Sequence, residues 1–264
     1  MLLTRFVFLC LLSPLLMLAA SRPAYIGLPD HAVLLEEQPL PVWAHAHRAL
    51  VLWVLAPANK PLQRRTLMDE TDSSPEEDYD YTCPEQTTGH FYRAPTHVSL
   101  VDTQSRRVLN TVPVKLTGAD TYDVPFRIRP GYFYHVRGPL TRGAGKPHIL
   151  ALRDFNGDGN ALEFAFHVME SCSGPLTMVL GYSVSQDRVI VYEFLLQGAK
   201  PDGPQSWMYR FTFRKPIAPM HWRYDDWYNS GRHIEYDFRY LAERERFEGT
   251  ARIRDIDLNQ LKKK

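Results

Sequence analysis

The ten residues Asp154-Phe155-Asn156-Gly157-Asp158-Gly159-Asn160-Ala161-Leu162-Glu163 set oxygen-bearing side chains on alternate positions around two glycines. That spacing suits a hard cation. Calcium takes about six to eight oxygen ligands. The side chains of Asp154, Asn156 and Asp158, the carbonyl of Asn160 and the carboxylate of Glu163 would supply most of such a shell. Gly157 and Gly159 allow the positive φ values that a tight cradle needs. The same residues also read as an ordinary hairpin turn at Asp158-Gly159, in which Asn156 and Asp158 only close local Asx turns. In either reading the loop joins an apolar run at 148–152 to a second at 162–167. Alternation puts Leu162, Phe164 and Phe166 on one face and Glu163 on the other, where a one-sided core would not want it and an ion would.

A second constellation is His221-Trp222-Arg223-Tyr224-Asp225-Asp226-Trp227-Tyr228-Asn229. Aromatic faces of Trp222, Tyr224 and Trp227 beside the carboxylates of Asp225 and Asp226 are the equipment of a sugar-binding surface, where rings stack on the sugar and acids bond its hydroxyls. Buried aromatics with a solvated turn at Asp225-Asp226 account for the same residues. Glycoside hydrolysis needs two carboxylates across a cleft. Asp225, Asp226, Glu235 and Asp237 can be nominated, but spacing selects no pair among them. The alternation of residues 233–240 places Glu235, Asp237 and Arg239 on the solvent face of an edge strand.

Other chemistries find no footing. The chain has no Gly-x-Ser-x-Gly elbow and no glycine-rich phosphate loop, and its closest histidines, His45 and His47, lack a zinc-binding partner motif. The expectation is a non-catalytic binding or structural protein, with a carbohydrate-binding module or glycoside hydrolase acting through residues 221–237 as the alternative.

The elements that must hold these groups are strands. Short β-branched and aromatic runs separated by turn signals recur at 48–56, 98–102, 108–114, 126–128, 132–136, 148–152, 162–167, 177–182, 188–195, 207–213, 233–240 and 247–253. No long segment carries a 3.6-residue apolar period. The pattern predicts an all-β, antiparallel, sandwich-like domain, or alternatively a small or incomplete β-propeller, although no blade-length repeat runs through the chain. Residues 22–41, rich in proline, read as an extended lead-in. Residues 69–80 are acidic, contain no aliphatic residue and read as an exposed loop.

Residues 1–21 read as a signal peptide: one basic residue, Arg5, an apolar core, and the small residues Ala19-Ala20-Ser21. No later segment reaches spanning length. About 240 residues follow, enough for one β domain with its own core. Export to the periplasm or medium makes Cys83 and Cys172 candidates for a disulfide, the alternative being two buried thiols. The bond would close a loop of about 90 residues and contribute about 4 to 5 kcal/mol. Lys and Arg number 31 against 30 Asp and Glu. That balance leaves no global field to attract nucleic acid or an anionic membrane, so the partner would be a protein or a glycan.

The loop Asp154-Phe155-Asn156-Gly157-Asp158-Gly159 resembles the calcium loop of FG-GAP repeats in integrin-type propellers, and less closely those of dockerins and EF-hands. The resemblance implies side-chain ligands at Asp154, Asn156 and Asp158 and a carbonyl ligand at Asn160. The repeat family places its next acid where Leu162 stands, and an EF-hand places one at Ala165, so Glu163 would have to serve. The flanking signatures of the repeat family are missing and the loop occurs once. As a whole, the chain also resembles exported bacterial proteins of uncharacterised function.

Overall fold

The structure is a computed structural model. It describes residues 25–55, 64–66, 90–93, 95–115, 127–128, 149–171, 174–198, 203–228 and 232–255. The leader, the acidic stretch at 69–80, Cys83, Cys172, the strand expected at 132–136 and Asn229 lie outside those residues.

The described strands, in chain order, are β1 (Ala32–Pro39), β2 (Arg48–Leu55), β3 (Arg64–Thr66), β4 (His90–Arg93), β5 (Thr96–Asp102), β6 (Arg107–Pro113), β7 (Arg127–Ile128) and β8 (Glu163–Ser171). They continue as β9 (Gly174–Ser183), β10 (Arg188–Val191), β11 (Phe194–Gln197), β12 (Pro204–Gln205), β13 (Met208–Tyr209), β14 (His221–Tyr228), β15 (Arg232–Leu241) and β16 (Arg246–Asp255). Among the described residues helix is confined to one turn, α1 (Val42–His45), and a 3-10 turn at Phe211–Phe213. The fold is all-β, as the run of short alternating segments predicts.

Three sheets stack to make the body. The first has the order β1-β2-β5-β6, the second is built on β9 with β8 on one side and β10 and β13 on the other, and the third runs β12-β11-β16-β15-β14. A small sheet β3-β4-β7 completes the set. Pairing is antiparallel throughout except between β11 and β16, where Phe194 lies beside Phe247 in parallel register. Leu50, Leu52, Val54, Val98 and Leu100 of the first sheet meet Phe164, Phe166, Met178 and Leu180 of the second in one core. The opposite face of β9 presents Val179 to an aromatic core formed with Phe194, Trp222, Phe238 and Phe247. The outer face of β2, through Ala49, Val51 and Trp53, is closed by Tyr25 and Leu28. Strands β2 and β9 are therefore covered on both sides, which explains why residues 49–54 form an unbroken apolar run.

Two polar clamps tie the first two sheets together. The amide side chain of Asn110 both donates to Val189 O and accepts from Val189 N, at 2.8 and 3.0 Å, imitating one rung of a ladder. Arg48 reaches Asp102 at 2.5 Å and Asp187 at 2.7 Å, joining the β5–β6 and β9–β10 turns.

Several expected elements differ. The lead-in contains β1, which pairs with β2 despite its proline-rich surroundings. Of the strand expected at 148–152, the described residues 149–152 do not form one: 149–150 are a turn, and ladder contact begins only at the isolated bridge from Arg153 to Glu163. Of the run 207–213 only Met208–Tyr209 is strand before the chain turns. The acidic pair Asp225-Asp226 is not a turn but the middle of β14. β15 is not an edge: it lies between β14 and β16.

Candidate functional site

The 154–163 loop starts where Arg153 and Glu163 exchange backbone hydrogen bonds of 2.7 and 3.0 Å. Within it, the side chains of Asp154, Asn156 and Asp158 fold back on the chain's own amides. Asp154 accepts from Gly157 N at 2.6 Å and Gly159 N at 2.9 Å. Asn156 Oδ1 accepts from Asp158 N at 2.9 Å, and Asp158 Oδ1 from Asn160 N at 2.7 Å, two successive Asx turns. Gly157 and Gly159 carry φ of 77° and 92°, as a cradle of this tightness requires.

Glu163 behaves otherwise than alternation on a one-sided sheet predicts. It is 1 % exposed, because the face of β8 opposite Phe164 looks into the second core rather than into solvent. Its Oε2 accepts from Phe155 N at 2.9 Å and Asn156 N at 3.5 Å, and its Oε1 from Asn156 Nδ2 at 3.2 Å and the Tyr192 hydroxyl at 3.3 Å. The carboxyl thus braces the loop from beneath. Burial pushes its pKa from 4.5 up to about 8, the amides of Phe155 and Asn156 opposing and the charges of Asp158 and Asp154 adding to the rise. Burial likewise holds the Tyr192 hydroxyl well above its ordinary value, with Glu163 contributing. Among the described residues no Lys, Arg or His pairs with Asp154, Asp158 or Glu163. Nor do three His, Cys, Asp or Glu side chains there converge at metal-binding spacing.

The loop is seated tightly. A Cβ on Gly157 would stand 2.9 Å from Met220 N and 3.0 Å from the Trp222 ring. A Cβ on Gly181, the β9 partner of Glu163, would stand 2.9 Å from Tyr192 and 3.0 Å from Glu163 Cγ. The two regions singled out in the sequence are thereby in contact, the loop resting on the start of β14. Gly181, Tyr192 and Met220 escaped sequence reasoning. Only Gly181, a glycine inside an apolar strand, carries a local signal of close approach.

The second constellation divides between the faces of β14 and β15. Trp222 is 3 % exposed and sits among Phe211, Phe238 and Phe247 with ring centroids 5.2 to 5.9 Å away. Tyr224 lies under the Arg214 guanidinium at 5.0 Å and beside Tyr236 at 5.1 Å. Asp226 is buried between Arg210 at 3.3 Å and Arg214 at 3.7 Å. Asp225, Glu235 and Asp237 face the other way. Asp225 is exposed, Glu235 pairs with Arg254, and Asp237 takes both His221, at 2.7 Å, and Arg223. The His221 hydrogen bond, followed by that of Arg223, holds Asp237 below the usual carboxylate range. Trp227 occupies the next position of β14. The four nominated carboxylates therefore do not share a cleft: Asp226 is on the core side and the other three are outside.

Among the described residues no helix is long and apolar enough to cross a membrane. No protein-family model, curated protein or solved structure matches this chain.

Proposed function

We propose that this chain is an exported, non-catalytic binding or structural protein whose 154–163 loop takes one calcium ion in a structural role. The observation that carries the reading is the pair of carboxylates Asp154 and Asp158 held on one tight loop with the Asn156 side chain, with no cationic partner among the described residues. The donor set is entirely oxygen, which fits calcium rather than a softer metal. Asp154, Asn156, Asp158 and the Asn160 carbonyl would hold the ion. Glu163, buried beneath the loop and kept protonated up to about pH 8 by that burial, would support the loop from below instead of ligating directly. The bound ion would relieve repulsion among the acids and stiffen the seat on Met220 and Trp222. The likeness to the FG-GAP loop supports the same assignment. Export, and a disulfide between Cys83 and Cys172, belong to the proposal through the leader-like residues 1–21. A sugar-stacking role for Trp222 has no support from its place in the core.

The test is thermal unfolding of the mature protein in chelator and in excess calcium, with Asp158→Ala alongside. An ion at about 100 times its Kd adds about 2.7 kcal/mol to the native state. For a chain of this size that raises Tm by about 5 to 10 °C. The rise should vanish in Asp158→Ala. An unchanged wild-type Tm would reduce the loop to a self-capped turn.

A further inference from the structure

β14 ends the third sheet, and among the described residues no strand lies beyond it. What does lie there is the strand's own approach. The chain reverses at Ala218 and His221, where His221 N donates to Ala218 O at 3.0 Å and Ile217 N donates to His221 O at 2.8 Å. Residues 214–218 therefore run back antiparallel along the edge, and at the far end Arg214 Nη2 donates to Asp225 O at 3.3 Å. Met220 O bonds instead to Tyr240 N on β15. Odd-numbered residues of β14 thus turn their backbone groups outward. The covering segment is exposed. Residues 215–219 are all exposed, Ile217 by 55 %, and Pro216, beside Arg223 in this course, has no N–H to give. Among the described residues it is tied to the strand by Ile217 and Ala218 at His221 and by the guanidinium of Arg214.

We propose that the edge of β14 is a pairing surface for a second copy of this chain, kept closed by residues 214–219 with Arg214 as the latch. Charge selects that occupant. Antiparallel pairing of two copies about Tyr224 sets each Arg223, which also bonds Asp237 of its own sheet, opposite the Asp225 of the other, on the outer face and in the hydrogen-bonded positions. A shift of one residue in the centre of pairing either way sets Arg223 against Arg223 or Asp225 against Asp225. Only the Tyr224-centred register joins opposite charges. Opening the latch frees the Asp225 carbonyl and removes the guanidinium that stands in the way of the incoming strand.

Arg214→Met keeps an apolar stem over Tyr224, leaves Arg210 beside Asp226, and removes the donor to Asp225 O. Sedimentation equilibrium of wild type and Arg214→Met over a range of concentrations reads the result. The variant should self-associate to a dimer with a dissociation constant at least about tenfold lower than wild type, equivalent to about 1.4 kcal/mol. Adding Asp225→Arg, which faces Arg223 of the other copy, should cancel the gain. Near-ultraviolet circular dichroism establishes that each variant is folded. Should Arg214→Met not fold, Ile217→Pro, which removes the N–H given to His221 O, opens the covering segment at its other tether and carries the same comparison. A folded latch variant with wild-type mass throughout, or association unaltered by Asp225→Arg, overturns the proposal.

Discussion

Glu163→Gln replaces a buried carboxyl by a neutral group of the same shape, and its effect should depend on pH in a defined sense. In the native state the pKa of Glu163 is raised from 4.5 to about 8, chiefly by burial. Between those two values the folded chain keeps a proton that the unfolded chain releases. Native stability is then complete below pH 4.5 and falls as pH rises toward 8. At about 1.36 kcal/mol for each pH unit the full span amounts to about 5 kcal/mol. Over the two pH units from about 5.5 to 7.5 the wild type should lose about 2.5 kcal/mol relative to Glu163→Gln, or about 5 to 10 °C in Tm. At the acid end the order should reverse, because Gln offers one accepting oxygen, so its NH2 is turned either toward Asn156 Nδ2 and the Tyr192 hydroxyl or toward the Phe155 and Asn156 amides, all of which donate to Glu163. The assay is urea unfolding of both proteins in chelator at several pH values, followed by near-ultraviolet circular dichroism. Only the difference between the two profiles matters, since histidines titrate in both. Parallel profiles, within about 0.5 kcal/mol, would refute the assignment of a protonated brace beneath the loop.

Gly181→Ala should cost about 1 to 3 kcal/mol in denaturant unfolding, because the added methyl meets Tyr192 and the stem of Glu163. Arg48→Met, which removes the link between two hairpin turns, should cost about 2 kcal/mol. That loss should shrink below about pH 4, as Asp187, held below its ordinary value by Arg48, takes up its proton. Trp222→Ala should cost about 3 to 5 kcal/mol in chemical denaturation as a core deletion. By contrast Asp225→Asn, at an exposed position, should stay within about 0.5 kcal/mol of wild type.

Strand existence is written plainly in this chain wherever one face, or both, is apolar. Residues 49–54 and the alternation of 234–240 need no tertiary information to be read as strands. What alternation cannot supply is the number of layers. Glu163 looks solvent-facing along β8, and becomes buried only because a third sheet covers that side through Tyr192 and the aromatic core. Asp225-Asp226 has the composition of a turn, yet its second member is accepted inside by Arg210 and Arg214, which belong to a preceding segment. β1 is hidden among prolines because an edge strand tolerates them. Of the candidate sites, the loop's residues and turn geometry were legible. Its contact with Met220 and Trp222 was not, since nothing local records the approach of β14 to Gly157.

The clamps between the first two sheets impose an order on synthesis. Arg48 and Asp187 are 139 residues apart, and Asn110 and Val189 are 79 apart. A ribosome needs on the order of 10 s to make the stretch between the members of the longer pair. From the end of β6 at Pro113 until β8 and β9 are made, the first sheet lacks its partner, and Leu50, Leu52, Val54, Val98 and Leu100 face water or whatever else is at hand. Folding dominated by such distant pairings is slow, in the millisecond-to-second range. The chain would therefore spend its early life as a client, with β2 the segment that a chaperone has the most reason to hold.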